Sequence, residues 1–115
     1  MHMSPDPVSR TQLVHGTLIL LVLRVLDSGP LHGYAIAQRI RELSSDVLDA
    51  EEGSLYPALQ RILIEGWVVA HWGKSETGRR VRFYRLTPEG LKQLKRERNE
   101  YELATAAIEA ILRQA

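Results

Sequence analysis

Nine residues constrain this chain more than any others. Leu18 to Leu26 reads Leu-Ile-Leu-Leu-Val-Leu-Arg-Val-Leu, apolar almost all the way round a helix. A surface helix keeps one polar face, so this segment is stable only where neighbours wrap it on several sides. It is too short for the roughly 20 apolar residues that cross a bilayer, and Arg24 interrupts it and Asp27 follows it. No membrane association is expected. The periodic pattern begins near Thr11 or Gln12 and takes in Leu13, so the first helix is expected from there to Asp27-Ser28-Gly29-Pro30. At that point glycine can adopt a helix-ending conformation and proline cannot continue the ladder. Residues 1–11, with Pro5 and Pro7, read as a flexible arm. With Asp6 and Arg10, and with no small-residue cleavage site after the apolar segment, the start of the chain does not read as an export signal.

The material to wrap the helix must come from a single domain, because 115 residues divided in two would leave each half short of core. With 44% hydrophobic and 25% charged residues the chain matches ordinary folding proteins. Cysteine is absent, which excludes disulfides, thiolate nucleophiles and cysteine-ligated zinc and favours the cytoplasm.

The remaining pattern supplies the wrapping. Ile36, Ile40 and Leu43 share one face of a second helix from about Gly33 to Leu43. After a connection over residues 44–53, a third helix is expected to open at Ser54, with the hydroxyl as cap and Pro57 in the first turn. Leu55, Leu59, Ile62 and Leu63 form its apolar stripe, which turns Ser54, Pro57, Gln60, Arg61 and Ile64 outward. Gly66 ends it. Trp67 to Trp72 and Val81 to Leu86 read as two strands around a loop from Gly73 to Arg80. Thr87-Pro88-Glu89 combines a cap, a first-turn proline and an early acid at the start of a last helix. Along it Leu91, Leu94, Arg98, Tyr101, Thr105, Ile108 and Leu112 repeat in heptad fashion, with Ala104 and Ile111 alongside, over about 40 Å. Such a helix outgrows the domain. Its stripe needs either a second copy of the chain or the first helix as cover.

Charge is distributed unevenly. Residues 67–98 hold nine basic side chains against three acidic, and the rest of the chain six against eleven. A basic third in a nearly neutral whole suits a protein that aims one surface at a polyanion, although a solvated charged face gives the same count. Lys74, Arg79, Arg80 and Arg82 crowd near the hairpin loop, where like charges repel unless an anion or nearby acids neutralise them. Arg85 shares its phase with Val81 and Phe83 and is expected to tuck toward the body; Lys92, Lys95 and Arg96 read as a solvated face. No machinery for catalysis is visible: there is no nucleophile motif, phosphate-cradling glycine loop or paired-carboxylate arrangement. His15, His32 and His71, even with Glu51 and Glu52, lack the i, i+3 or i, i+4 spacing of helical metal ligands. The chain is therefore expected to be no enzyme and to need no cofactor and no metal.

Helix, helix, helix, hairpin, long helix is the order of a winged helix-turn-helix: a mainly α fold with a two-stranded β-hairpin and a long C-terminal helix. Residues 12–87 are the expected double-stranded-DNA-binding domain and residues 88–115 a dimerisation helix. A third helix of this kind fits the major groove, and a basic hairpin beside it reaches backbone or the adjacent minor groove. On this reading Ser54, Tyr56, Pro57, Gln60 and Arg61 meet phosphate or base edges, joined by Lys74, Arg79, Arg80 and Arg82 from the hairpin and by His32 before Gly33, as a phosphate contact or a helix-start residue. Tyr56 is equally placed to half-bury against the second helix, and Arg61 to pair with Glu65.

Three stretches go further: Gly33-Tyr34 with Ile36 and Ile40; Gly53 to Ile62 (GSLYPALQRI) running on to Glu65-Gly66-Trp67; and Gly78 to Gly90 (GRRVRFYRLTPEG). Together they resemble the PadR-like transcriptional regulators, of the shorter kind with a single C-terminal helix, over residues 12 to 112. The resemblance implies a homodimeric repressor whose C-terminal helices pair, relieved by a small-molecule inducer in some members. It also implies that Tyr101 either lines a ligand space between subunits or is plain dimer core. The competing reading from the residues is a winged-helix adapter for a protein partner that touches nucleic acid only electrostatically.

Overall fold

The computed structural model describes residues 11–12 and 16–114. In chain order it contains β1 (Thr11–Gln12), α1 (Leu18–Leu26), β2 (Leu31–His32), α2 (Gly33–Leu43), β3 (Leu48–Asp49), α3 (Glu52–Ile64), β4 (Val68–Lys74), β5 (Arg80–Leu86) and α4 (Pro88–Leu112). The mainly helical fold with a small antiparallel sheet agrees with the sequence expectation.

The apolar helix is at the centre. Val22 and Leu23 are fully enclosed, and Leu26, Ile36, Leu55, Leu59, Ile62 and Val68 complete the densest part of the core. Helices α2, α3 and α4 and strand β5 all pack on α1, the several-sided cover that its composition demands.

Helix α1 begins later than its periodicity suggests. Gly16 has φ +92°, outside the helical region, so the helix cannot extend back through it. Thr11 and Gln12 instead pair in parallel with Leu48 and Asp49. The expected arm lies outside the described residues apart from Thr11, and Leu13 and His15 lie outside them too.

Helix α3 also differs from expectation, starting two residues earlier at Glu52. The Glu51 carbonyl accepts from the Ser54 and Leu55 N–H groups at 3.0 and 2.8 Å, which makes Glu51 the cap and puts Ser54 inside the first turn. Pro57 therefore falls in the second turn, where its missing N–H removes a bond to the Gly53 carbonyl. The other end follows the sequence. Gly66 takes φ +78°, and the Trp67 and Gly66 N–H groups bond the Ile62 and Leu63 carbonyls at 3.0 Å, closing the helix in a Schellman turn.

The hairpin is longer than expected, and β2 joins it as a third strand, in the order β2-β5-β4. Gly73 and Lys74 belong to β4 and Arg80 to β5, which shortens the loop to residues 75–79. Glycine fits within this strand because the Phe83 ring lies on it; a β-carbon at Gly73 would stand 2.8 Å from Phe83 Cε2. The buried face of the sheet carries Tyr84 and Val68. Arg85, in phase with Val81 and Phe83, is on the opposite face and exposed rather than tucked against the body, because the core takes the Tyr84 side of the pleat.

Helix α4 opens as its first residues specify. Thr87 Oγ1 accepts from the Gly90 N–H at 3.0 Å and donates to the Gly66 carbonyl at 2.8 Å, with Pro88 leading the first turn. Its opening turns pack on α1 and β5, which brings Leu94 to 5% exposure and leaves Leu91 half-buried. Beyond Leu94 no residue of the helix is buried. The radius of gyration, 16.0 Å, exceeds the about 13 Å of a compact chain this long, as a projecting helix requires.

Candidate nucleic-acid interface

Two helix N-termini and a hairpin loop converge on one side of the molecule. The starts of α2 and α3 and the loop side of the hairpin border an open groove of about 550 Å³. His32, Tyr34 and Gln38 line it from the α2 side, Glu52 and Tyr56 from α3, and Glu76, Arg79, Arg82 and Tyr84 from the hairpin. Helix N-termini carry partial positive charge and unsatisfied N–H groups, and Arg79 and Arg82 add full positive charges that Glu52 and Glu76 offset in part.

The groove brings together His32, Tyr56, Arg79 and Arg82 among the residues singled out from sequence. Ser54, Pro57, Gln60 and Arg61 do not line it; they are exposed along the outer face of α3. Lys74 and Arg80 are exposed on the strands flanking the hairpin loop. Tyr34, 70% exposed, and Gln38 were not among the contacts expected from sequence. They are spaced i, i+4 on α2, away from Ile36 and Ile40, and that spacing was the available signal.

Tyr56 half-buries against α2. Its ring lies on the α2 backbone, where a β-carbon at Gly33 would stand 3.1 Å from the hydroxyl oxygen, yet nearly half its surface remains open to the groove. Tyr84 is beneath. Burial pushes its phenol above the ordinary 10.0, with Arg82 pulling the other way and Tyr56 adding to the rise. His32 turns its ring edge toward Phe83 at 5.6 Å, and His71 stacks on the same ring at 5.5 Å.

The hairpin loop is internally tied. Ser75 N–H donates to the Arg79 carbonyl at 2.8 Å, Gly78 N–H to the Ser75 carbonyl at 2.9 Å, and Arg79 N–H to Ser75 Oγ at 3.3 Å. Gly78 supplies the positive φ of +84°. Among the described residues the ion pairs lie on the helices or between α2 and Asp46, and none includes Lys74, Arg79, Arg80 or Arg82. Lys74, Arg79, Arg80 and Arg82 outnumber the one acid of the hairpin, Glu76, and leave a net positive field. Arg61 does reach Glu65, at 3.9 Å across an exposed pair, a contact worth little in water.

The sequence model of the transcriptional regulator PadR-like family matches residues 22–96, which take in α2, α3, the hairpin and the start of α4. The chain belongs to this family. A PadR-like regulator of known structure, from Eggerthella lenta, shares 26% identity and a TM-score of 0.73, covering 87% of this chain and 85% of that one. A transcriptional regulator from Clostridium thermocellum is 33% identical with a TM-score of 0.75, over 83% of this chain and 92% of its own. An uncharacterised protein of Lysinibacillus sphaericus is 28% identical over 70% of this chain and 74% of its length. As a PadR-like protein the chain is a transcriptional regulator. No described helix is long and apolar enough to cross a membrane, and the described residues contain no group of three or more side chains able to hold a metal ion.

Proposed function

We propose that this PadR-like regulator is a cytoplasmic repressor that binds a palindromic DNA operator as a homodimer. One observation carries the reading: the start of α3, through Tyr56, and two hairpin cations, Arg79 and Arg82, line the same groove, so a helix of major-groove width and a phosphate-seeking wing are brought side by side. On this reading Gln60 and Arg61 meet base edges. Ser54, Tyr56, Pro57 and His32 contact the backbone near helix N-termini, and Lys74, Arg79, Arg80 and Arg82 bind phosphate.

Dimerisation through α4 is part of the proposal. Tyr101, Ile108, Ile111 and Leu112 are 48 to 71% exposed, and with Ala104 they form a band, beyond the core-packed Leu91 and Leu94, that none of the described residues buries. The same helix of a second copy matches it in length and pattern, and a palindromic operator calls for the two α3 helices about one DNA turn, roughly 34 Å, apart. Tyr101, midway along the band, is the natural contact for a flat inducer held between subunits.

The test is selection of bound duplexes from a random pool. A recovered palindrome supports partner, stoichiometry and site at once; equal retention of all sequences favours the adapter reading.

A further inference from the structure

Trp72 is 59% exposed near the outer end of the hairpin, an expensive place for the largest apolar side chain. Its ring is nonetheless occupied. The guanidinium carbon of Arg80 lies 4.6 Å from the ring centroid, within cation–π range. The strand register accounts for the pairing. Across the ladder Trp72 faces Arg82 and Lys74 faces Arg80, so all four share one face and Arg80 is diagonal to Trp72, in reach of a long side chain. Lys74, directly opposite, repels Arg80, and among the described residues no carboxylate pairs with it. The Trp72 ring is the attractive partner that holds it. That contact engages the charge and does not consume all five N–H donors, which leaves the guanidinium able to take an oxyanion.

We propose that Trp72 is a positioning residue, holding the Arg80 guanidinium in a fixed place on the wing where it meets a phosphate of duplex DNA. The inference rests on the DNA-binding reading above. A free arginine gives up rotamer freedom when it binds; one already seated on an indole has less to lose. Trp72 and Arg80 then act as a single unit.

The test is a double-mutant cycle on the full chain, read by fluorescence anisotropy with a labelled mixed-sequence duplex across a salt series. Trp72→Ala and Arg80→Ala are each expected to weaken binding about fivefold. The double variant should be no weaker than Arg80→Ala, and Trp72→Phe, which keeps an aromatic face, should bind within about twofold of wild type. Losses that multiply would mean that the indole touches DNA by itself, and no loss in Trp72→Ala would mean that Arg80 needs no seat; either overturns the proposal. If Trp72→Ala does not fold, Arg80→Lys interrogates the same pair. It retains the charge without the planar cation and should bind about fivefold more weakly with an unchanged salt slope, whereas unchanged affinity overturns the proposal. Wild-type protein indifferent to the duplex would overturn the DNA reading and this inference with it. Steep salt-dependent binding with multiplying losses overturns only the pair.

Discussion

Gly90 is pressed so closely on the backbone carbonyl of Trp67 that a β-carbon would overlap the oxygen, and would also stand 2.8 Å from Leu86 Cδ1. The contact joins the end of α3 to the start of α4. Thr87 N–H donates to that same Trp67 carbonyl at 3.0 Å, and the Thr87 hydroxyl donates to Gly66, so the first turn of α4 is seated on the closing turn of α3. Gly90→Ala should therefore cost about 2–3 kcal/mol, the scale of overpacking against a backbone that cannot yield. Urea unfolding should show a lower midpoint with an unchanged slope; a midpoint equal to wild type would mean that the two helices tolerate separation.

Removing two wing charges addresses phosphate contact. The paired substitution Arg79→Ala with Arg80→Ala should weaken binding to every duplex and reduce the log–log salt slope by about 1.8, near 0.9 for each cation lost. Normal affinity in a salt titration would place the anion-binding surface elsewhere.

On α3 the expected signature is different. Gln60→Ala or Arg61→Ala should cost about 1–3 kcal/mol at the preferred operator and much less on unrelated duplexes, which blurs site preference. Fold stability should move by less than about 0.5 kcal/mol, since both side chains are exposed and the Arg61–Glu65 pair is long. A uniform loss across sequences in competition binding would reassign these residues to the backbone.

The α4 band is tested without disturbing the core. Ile108 is 56% exposed in the protomer, so Ile108→Asp should leave the protomer folded while burying an unpaired carboxylate in any seam between copies. Sedimentation should report dimers for wild type and single chains for the variant. Dimers that persist would move the interface off α4.

Tyr84 predicts a limit at alkaline pH. Its phenol is held above 10.0 mainly by burial, so the folded chain keeps a proton that the unfolded chain surrenders first. The associated stability is complete below pH about 10 and is lost as pH rises through the higher folded value. Thermal unfolding of wild type should fall more steeply above pH about 10 than that of Tyr84→Phe. Parallel curves would mean that the hydroxyl is solvated in the native state.

Much of this architecture was legible in the order of residues because it depends on short-range chemistry. The bounds of α2, the Schellman turn at Gly66, the Thr87-Pro88 opening of α4 and the outward set Ser54, Pro57, Gln60 and Arg61 all follow from local capping and periodicity. So did the family, through three motifs that survive without coordinates. Where neighbours distant in sequence intervene, the expectations slipped. Strand β1 exists only because Leu48 and Asp49 run beside it, and β2 because Tyr84 and Phe83 do. Arg85 faces outward because the core chose the other side of the pleat. A period of two says which residues share a face and not which face is buried.

The candidate site divides in the same way. The residue order by itself determined which side chains carry charge, which helix keeps a polar face and which band of α4 needs a cover, since composition and periodicity are properties of the chain. Tertiary structure alone decided that Tyr56 rests on Gly33, that Tyr34 and Gln38 join the groove, and that Arg80 is seated on Trp72. Each of these depends on a distance between separate elements, and such a distance is set by how the core packs.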